Sequence, residues 1–195
     1  MGIFLIRDTL ATNKEATDAA KAAVTHATET AKLELRAYLT AVPDGINQLI
    51  RQNDVMGHVL VKNVGRLPAQ NVTLLIKMER SLGPEFDSFF RRETFDLPKV
   101  ATNSDRVIHP GSEMRQGSEE RIAISDLCLP EHNVYVYGIV SYHDGYGVRR
   151  STRFCHRYAT ASRDHGITWD VTPNQSRTFI GADKARYHNY GNSAD

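Results

Sequence analysis

Arginine and tyrosine side chains between residues 135 and 158 are the best candidates in this sequence for binding chemistry. Arg149, Arg153 and Arg157 recur at even spacing, so they project from one face if the segment is a β-strand. Arginine beside an aromatic ring suits single-stranded nucleic acid, an anionic lipid surface or a carboxylate-rich partner. The candidate ligand-binding residues are therefore these three arginines and Tyr142. The favoured interpretation is a polar sheet face in which Tyr–Arg cross-strand pairs contribute under ~1 kcal/mol each.

Histidine and cysteine residues in this part of the chain suggest two other kinds of chemistry. His143 and Asp144 near a hairpin tip could bind a metal together with His156, but a strand rises ~3.4 Å per residue, which separates them too far. Cys155 and His156 are neighbours whose side chains point to opposite faces of a strand, which argues against a catalytic dyad. Cys128 and Cys155 form either an inter-sheet disulfide outside the cytoplasm or two buried thiols, and their apolar neighbours favour the thiols. We predict no catalytic residues and no metal site.

Length and composition restrict the function further. The chain has 195 residues, with 24 Lys and Arg against 23 Asp and Glu, so its formal net charge of +1 makes nucleic acid an unfavoured partner. Hydrophobic residues make up 41% of the chain, as is usual for a folded protein. P-loop, GxSxG, HExxH, GxGxxG and zinc-ribbon patterns are lacking, so no cofactor is predicted. A hydrolase with an unrecognised site remains an alternative.

The elements that would position these side chains are short strands. Alternating apolar residues and turn signals predict strands at 36–42, 57–64, 71–78, 121–124, 134–142 and 148–158, the first one ended by Pro43-Asp44-Gly45. The absence of βαβ alternation disfavours a parallel sheet. We predict a mainly β fold, an immunoglobulin-like antiparallel β-sandwich over residues 36–158.

The last two predicted strands form a hairpin whose register decides which side chains meet. If His143 pairs with Val148, then Tyr137 faces Phe154 and Ile139 faces Thr152. Tyr137, Ile139 and Phe154 would then form an inward-facing apolar cluster. A shift of one residue would exchange the two faces, so this register is a hypothesis.

The two ends of the chain differ from the β domain. Residues 1–7 are an apolar start that matches the end of a membrane anchor, and residues 8–35 predict a helical stalk without Pro or Gly. An apolar stripe along it, formed by Ala20, Ala23, Ala27, Ala31 and Leu35, would also permit self-association through a close helix pair. Residues 159–195 predict a poorly ordered tail in which 167–171 is a possible short strand. Residues 81–92, which contain three phenylalanines, predict either a short helix that caps the sandwich or an exposed contact loop, and the capping helix is favoured because three exposed phenylalanines would be an unusual patch.

Several segments together resemble a group of proteins. Asn63-x-Gly65, followed by Pro68-Ala69 and Asn71-Val72, is similar to many bacterial immunoglobulin-like modules. The order of segments 35–39, 62–69, 136–144 and 150–158 resembles a loose group of uncharacterised bacterial, mostly proteobacterial, proteins described only as hypothetical or membrane proteins. The resemblance covers about residues 2–158 and implies a membrane anchor, an Ala/Thr-rich helix and a small β domain, but no activity.

These observations predict a non-enzymatic interaction or scaffold module that binds a protein partner and is displayed at a membrane. Arg7 after the apolar run favours the cytoplasmic side by the positive-inside rule, and without an anchor the chain would be soluble and cytoplasmic. The first alternative is a soluble binder of nucleic acid or another anionic ligand through the Arg/Tyr hairpin. The second is the hydrolase.

Overall fold

The structure is a computed structural model that describes residues 2–48, 53–80, 105–127, 133–159, 177–188 and 191–195. It divides after Arg36 into two compact units, a long helix and a β domain. The β domain consists of two antiparallel sheets, which confirms the predicted mainly β class. The predictions for residues 81–92, for residues 167–171 and for Cys128 lie outside the described residues.

The first unit is helix α1 (Gly2–Leu35), which has 34 residues. Threonine is tolerated there because Thr17, Thr25 and Thr28 donate their hydroxyls to the carbonyls of the residues four positions earlier, at 2.7 to 3.0 Å. Every side chain from residue 12 to residue 30 is exposed. Lys32 Nζ and Glu29 Oε1 form an ion pair at 2.8 Å on the helix surface.

The second unit contains ten strands among its described residues. In chain order they are β1 (Leu39–Gln48), β2 (Asp54–Asn63), β3 (Gln70–Arg80), β4 (Glu113–Gly117), β5 (Ile122–Ala123), β6 (Asn133–His143), β7 (Arg149–Ala159), β8 (Arg177–Ile180), β9 (Arg186–Tyr187) and β10 (Ser193–Ala194). A short helix, α2 (Ile124–Leu127), follows β5, and a 3₁₀ helix (Ala182–Lys184) follows β8. The predicted strands at 57–64, 71–78, 134–142 and 148–158 correspond to β2, β3, β6 and β7.

The strands are distributed over two sheets. Sheet 1 has the order β4-β2-β1-β8, with β5 also paired to β2, and sheet 2 has the order β10-β7-β6-β3, with β9 also paired to β7. One core cluster draws on both sheets, with Ile46 and Val59 from sheet 1 and Val136 and Phe154 from sheet 2 among its members. Gly57 lies so close to Val136 that a Cβ there would be 2.3 Å from its Cγ2, which shows how closely the sheets face each other.

The first strand continues past the point where we predicted it to end. Pro43-Asp44-Gly45 does not close β1, because the register against β2 shifts between Pro43 and Ile46 and the strand then resumes. Gly45 adopts φ 81°, and a Cβ there would be 2.5 Å from the carbonyl oxygen of Ile180. A bulge with glycine in the left-handed region absorbs these turn residues without ending the strand.

The Asn-x-Gly pattern after β2 has a structural explanation in one buried amide. Asn63 donates through Nδ2 to the carbonyls of Leu67 (2.8 Å) and Ile108 (2.9 Å). Its Oδ1 accepts the backbone N–H of Gly65 (2.9 Å) and of Tyr38 (3.3 Å). The side chain therefore connects the start of β1, the β2–β3 turn and the segment before β4. Because its amide is fully satisfied, burial at 1% exposure carries no desolvation penalty.

The described residues after 176, within the stretch predicted to be a poorly ordered tail, include three short strands. β8 pairs with β1, whereas β9 and β10 both pair with β7. Asp195 donates its backbone N–H to the carbonyl of Ser151 at 3.1 Å and accepts the Ser151 hydroxyl at 2.7 Å. The polar composition of this stretch reflects short edge strands, and the side chains of β9 and β10 are exposed.

Candidate functional site

The hairpin of β6 and β7 carries the predicted binding residues, and its observed register differs from the prediction by one residue. His143 pairs with Arg149 and not with Val148, so Ile139 faces Arg153 and Tyr137 faces Cys155. The predicted pairs of Tyr137 with Phe154 and of Ile139 with Thr152 are therefore wrong. The predicted cluster is wrong as well, because Phe154 belongs to the inter-sheet core whereas Tyr137 and Ile139 lie on the other face.

The register is set by a five-residue loop that Asp144 closes. Asp144 donates its backbone N–H to the carbonyl of Val148 at 3.0 Å, and its Oδ1 accepts the N–H of Tyr146 and of Val148 at 3.0 and 3.2 Å. Gly145 and Gly147 supply the positive φ values, 90° and 80°. Because Val148 closes this loop, it is not available as a strand partner for His143.

Asp144 is a structural carboxylate, at 2% side-chain exposure. Burial alone would raise its pKa, but the N–H of Tyr146, the Arg150 guanidinium at 3.1 Å and the N–H of Val148 outweigh burial and lower the pKa of Asp144. Its carbonyl also accepts the N–H of Ala37 at 2.9 Å. These contacts use the hydrogen-bonding capacity that a metal or ligand would need.

The structure places Arg149, Arg153 and Arg157 on one face of sheet 2, its outer face, as the spacing predicted. They lie opposite His143, Ile139 and Tyr135, respectively. Arg149 is exposed, whereas Arg153 and Arg157 are half-buried. Long arginine stems at such positions cover neighbouring apolar side chains while the guanidinium stays near water.

Tyr142 does not belong to this surface. It pairs with Arg150 and points to the inner face, where it is 1% exposed and its hydroxyl oxygen accepts the N–H of Leu39 at 3.3 Å. The four candidate residues therefore do not form one surface. The two strands alternate their side chains, so an even-numbered tyrosine on β6 cannot share a face with odd-numbered arginines on β7 in this register.

Two other tyrosines of the hairpin are buried under the outer face of sheet 2, whereas Tyr146 in the loop is 42% exposed and Tyr158 lies in the inter-sheet core. Tyr135 and Tyr137, at 0% and 2% exposure, form a second apolar cluster with Ile139 and Cys155. Tyr137 donates its hydroxyl to Glu79 Oε1 at 2.6 Å, and burial together with this carboxylate raises the pKa of Tyr137. Stacking a nucleobase requires an open ring face, and buried rings do not offer one.

Residues near the C-terminus cover part of this cluster, which the sequence interpretation missed. The His188 ring meets the Tyr135 ring edge-on at 5.2 Å between centroids. Asn192 accepts the backbone N–H of Cys155 at 2.9 Å through Oδ1 and donates to the carbonyl of His188 at 2.7 Å. The only available signal was a cluster of aromatic and amide residues in an otherwise polar stretch.

Cys155 and His156 point to opposite faces, as we expected from their adjacency on a strand. Cys155 is in the outer cluster, whereas His156 pairs with Val136 on the inner face. His143 lies at the far end of the same hairpin, and the part of the chain that the structure describes holds no group of three metal-ligating side chains. Cys155 is buried, and the favoured thiol state of the pair stays a prediction because Cys128 lies outside the described residues.

His156 is a fully buried imidazole between the sheets. Its ring lies 5.3 Å from those of Phe154 and Tyr187, and neither ring nitrogen completes a hydrogen bond within the described structure. Burial lowers the pKa of His156 to about 4, although the nearby carbonyl of Ala41 acts in the opposite direction. The ring is therefore neutral at physiological pH and belongs to the core.

Replacing this imidazole should reduce the acid sensitivity of the fold. The unfolded imidazole takes up a proton near pH 6.5 and the buried one only at about 4, so this group removes about 3 kcal/mol of stability as the pH falls through that window. We expect His156→Phe to abolish this loss, measured by urea unfolding at pH 7 and pH 4.5. His109→Phe, at an exposed position, should keep the wild-type loss. Equal losses in His156→Phe and wild type would contradict the assignment.

A polar cluster at the β1 bulge is a second feature that the sequence interpretation did not assemble. Arg115 donates through Nε to Asp44, and Asn47 Nδ2 lies 3.0 Å from His58 Nδ1. Burial and then the Arg115 charge lower the pKa of His58, against the carbonyl of Met56 and the Asp44 carboxylate. The His58 imidazole has no hydroxyl or thiol partner among the described residues, so the cluster is not an activated nucleophile.

Comparisons with known proteins add no family to this description. No family model matches the chain, and neither a curated protein nor a solved structure matches it. None of the helices within the described residues has both the length and the apolar character that a membrane crossing needs.

Proposed function

We propose that this chain is a non-enzymatic interaction module, in which helix α1 is the contact element and a small immunoglobulin-like β-sandwich is the body. The observation that carries the proposal is the exposure of every side chain from residue 12 to residue 30 of α1. In proteins most of the stability of a helix comes from packing an apolar face. A long helix that leaves such a face in water is suited to receive another helix.

The residues of α1 are divided between two sides. Ala20, Ala23, Ala27, Ala31 and Leu35 recur every three or four residues and lie on one side. The charged side chains Lys14, Asp18, Lys21, Glu29 and Lys32 lie on the opposite side, whereas Glu34 lies on the stripe side at the end of the helix. A second copy of α1 fits the small-residue side, because alanine lets two helix backbones approach closely and the charged sides then stay in water.

The immunoglobulin-like assignment is supported by the strand order. β1, β2 and β4 lie in one sheet, whereas β3, β6 and β7 lie in the other, with β2 between β1 and β4 and β6 between β3 and β7. Immunoglobulin-like sandwiches place their first, second and fifth strands in one sheet and their third, sixth and seventh in the other. β4, the fourth strand here, takes the place of that fifth strand. Display at a membrane, which the family resemblance implies, is part of the same proposal.

The two alternatives have less support. An anionic-ligand site built on the Arg/Tyr hairpin keeps one exposed ring, that of Tyr146 at 42%, since Tyr135, Tyr137 and Tyr142 are buried. A hydrolase would need a histidine that can act as a general base. His156 is enclosed in the core, and His58 has no nucleophile beside it among the described residues.

A pair of charge substitutions on α1 tests the proposal. Ala23→Glu places a carboxylate in the apolar stripe, and we expect the association constant of the full chain to fall at least ten-fold in sedimentation equilibrium, because pairing through α1 is lost. Ala22→Glu makes the same change on the charged side and should leave the dimer intact, with equal helix content by circular dichroism. A wild-type chain that is monomeric at every concentration, or equal dissociation of the two variants, would refute the proposal.

A further inference from the structure

The β4 edge of sheet 1 is a second surface, whose bonding capacity the described residues do not use up. β4 forms the end of the order β4-β2-β1-β8. Ser118 donates its N–H to the carbonyl of Gly57 at 2.8 Å, and Asn63 donates to Ser112 at 3.0 Å. With the register of β4 on β2, these bonds show that Met114 and Gln116 direct their backbone groups to β2. Those of Glu113, Arg115 and Gly117 therefore point away from the sheet and have no partner among the described residues.

The side chains of this edge are held on the outer face of sheet 1 by ion pairs within the chain. Lys62 Nζ lies 2.8 Å from Glu113 Oε2, and Arg115 Nε donates to Asp44. Neither pair projects across the free edge, so neither blocks the approach of another strand. Glu113 and Arg115, at 51% and 54% exposure, retain room for a second partner.

We propose that β4 pairs antiparallel with β4 of a second copy of this chain and joins the two sheets across a two-fold axis. An unpaired edge recruits an extended strand through main-chain hydrogen bonds. The register that places Glu113 opposite Arg115 of the second copy joins residues whose backbone groups both point outward. This interface is separate from the α1 pairing.

The charges of Glu113 and Arg115 favour this register over the one shifted by two residues. In the proposed register each Glu113 lies between Lys62 of its own chain and Arg115 of the other copy. Arg115 in turn contacts Asp44 of its own chain, so the four side chains form one row. The charges along this row alternate in sign, and symmetry produces the row twice. Moving the strands by two residues would place Arg115 opposite Arg115, and like charges in directly opposed positions are destabilising.

Two charge variants test the pairing of β4. Both are made in a parent chain, the full chain with Ala23→Glu, so that helix pairing does not contribute. Glu113→Arg makes both positions of the edge cationic, and Arg115→Glu makes both anionic. We expect each variant alone to dissociate at least ten-fold more readily than the parent, and their equimolar mixture to form a heterodimer. Arg66→Glu, at an exposed position outside β4, should behave as the parent.

Three results would overturn the proposal: a monomeric parent at every concentration, undiminished association of Arg115→Glu, or a mixture that stays monomeric. None of them affects the α1 proposal, which the comparison of Ala23→Glu with Ala22→Glu tests separately. If both interfaces form, two different two-fold contacts on one chain produce assemblies larger than a dimer, as a scaffold requires.

Discussion

Asn63→Ala is expected to lower the free energy of unfolding by about 3 kcal/mol or more, because the change removes four hydrogen bonds at one buried position. The carbonyl of Leu67 and the N–H groups of Tyr38 and Gly65 would lose this partner at half-buried positions, and the carbonyl of Ile108 would keep only the N–H of Ala69. Urea unfolding of the purified chain measures the loss.

Asn63→Asp sharpens this test, since it keeps the shape and the acceptor but replaces the donor. A carboxylate would face the carbonyls of Leu67 and Ile108, so we expect a loss at pH 7 at least as large as that of Asn63→Ala. We expect the introduced carboxyl group to have a raised pKa in the folded state, so the free energy of unfolding of the Asn63→Asp variant should recover as the pH falls. Asn53→Ala, at an exposed position, should change stability by less than about 0.5 kcal/mol. A small loss in both Asn63 variants would show that the amide is not a structural clamp.

Gly138→Ala is expected to cost about 4 kcal/mol or more, or to prevent folding. A Cβ at this position would be 2.0 Å from the carbonyl oxygen of Leu75 and 3.0 Å from Cζ of Phe154. Gly138 lies in β6 between β3 and β7, so the obstructing backbone is fixed by pairing on both sides. Overpacking of this kind forces a backbone shift in the centre of a sheet.

The control for Gly138 is a glycine with ordinary dihedral angles and a movable neighbour. Gly181 has φ −67°, and a Cβ there would meet only the Asp183 side chain, which can rotate away. We expect Gly181→Ala to fold with a change below about 1 kcal/mol, measured by thermal unfolding. A Gly138→Ala chain as stable as Gly181→Ala would contradict the close approach of β3 and β6.

The strands of the β domain were predictable where burial alternates. In β2 every second residue from Val55 to Asn63 is buried. The sequence shows this period of two only in part, because Val59 and Val61 have the polar neighbours His58 and Lys62 but are separated by Leu60. β6 is buried on both faces from Val134 to Tyr142, so its apolar run identified a strand but could not show which face each residue takes.

Each error in the strand predictions has a specific physical cause. The hairpin register depends on whether Val148 closes the loop or begins the strand, and the bonds that Asp144 makes to the backbone decide this. The missed strand β4 is five mostly polar residues whose pairing with β2 is a long-range contact. The same holds for β9 and β10, which have two residues each and form only by pairing with the edge of β7.

The candidate site could be predicted only in part. A spacing of two placed Arg149, Arg153 and Arg157 on one face whatever the register. The face on which Tyr142 lies depends on the register, so the prediction placed this side chain on the wrong face. The cluster of Asp44, His58 and Arg115 combines a bulge with two strands that are distant in sequence, so no pattern of residue types could have assembled it.

Amide hydrogen exchange of the full chain at increasing protein concentration tests the central claim most directly. If α1 is the contact element, protection of the amides between residues 12 and 30 rises with concentration, while that of β2 and β6 stays constant. Ala23→Glu should remove this dependence, and Ala22→Glu should retain it. Exchange in α1 that is the same at every concentration would contradict the claim, because a helix that pairs must gain protection as the pairs form.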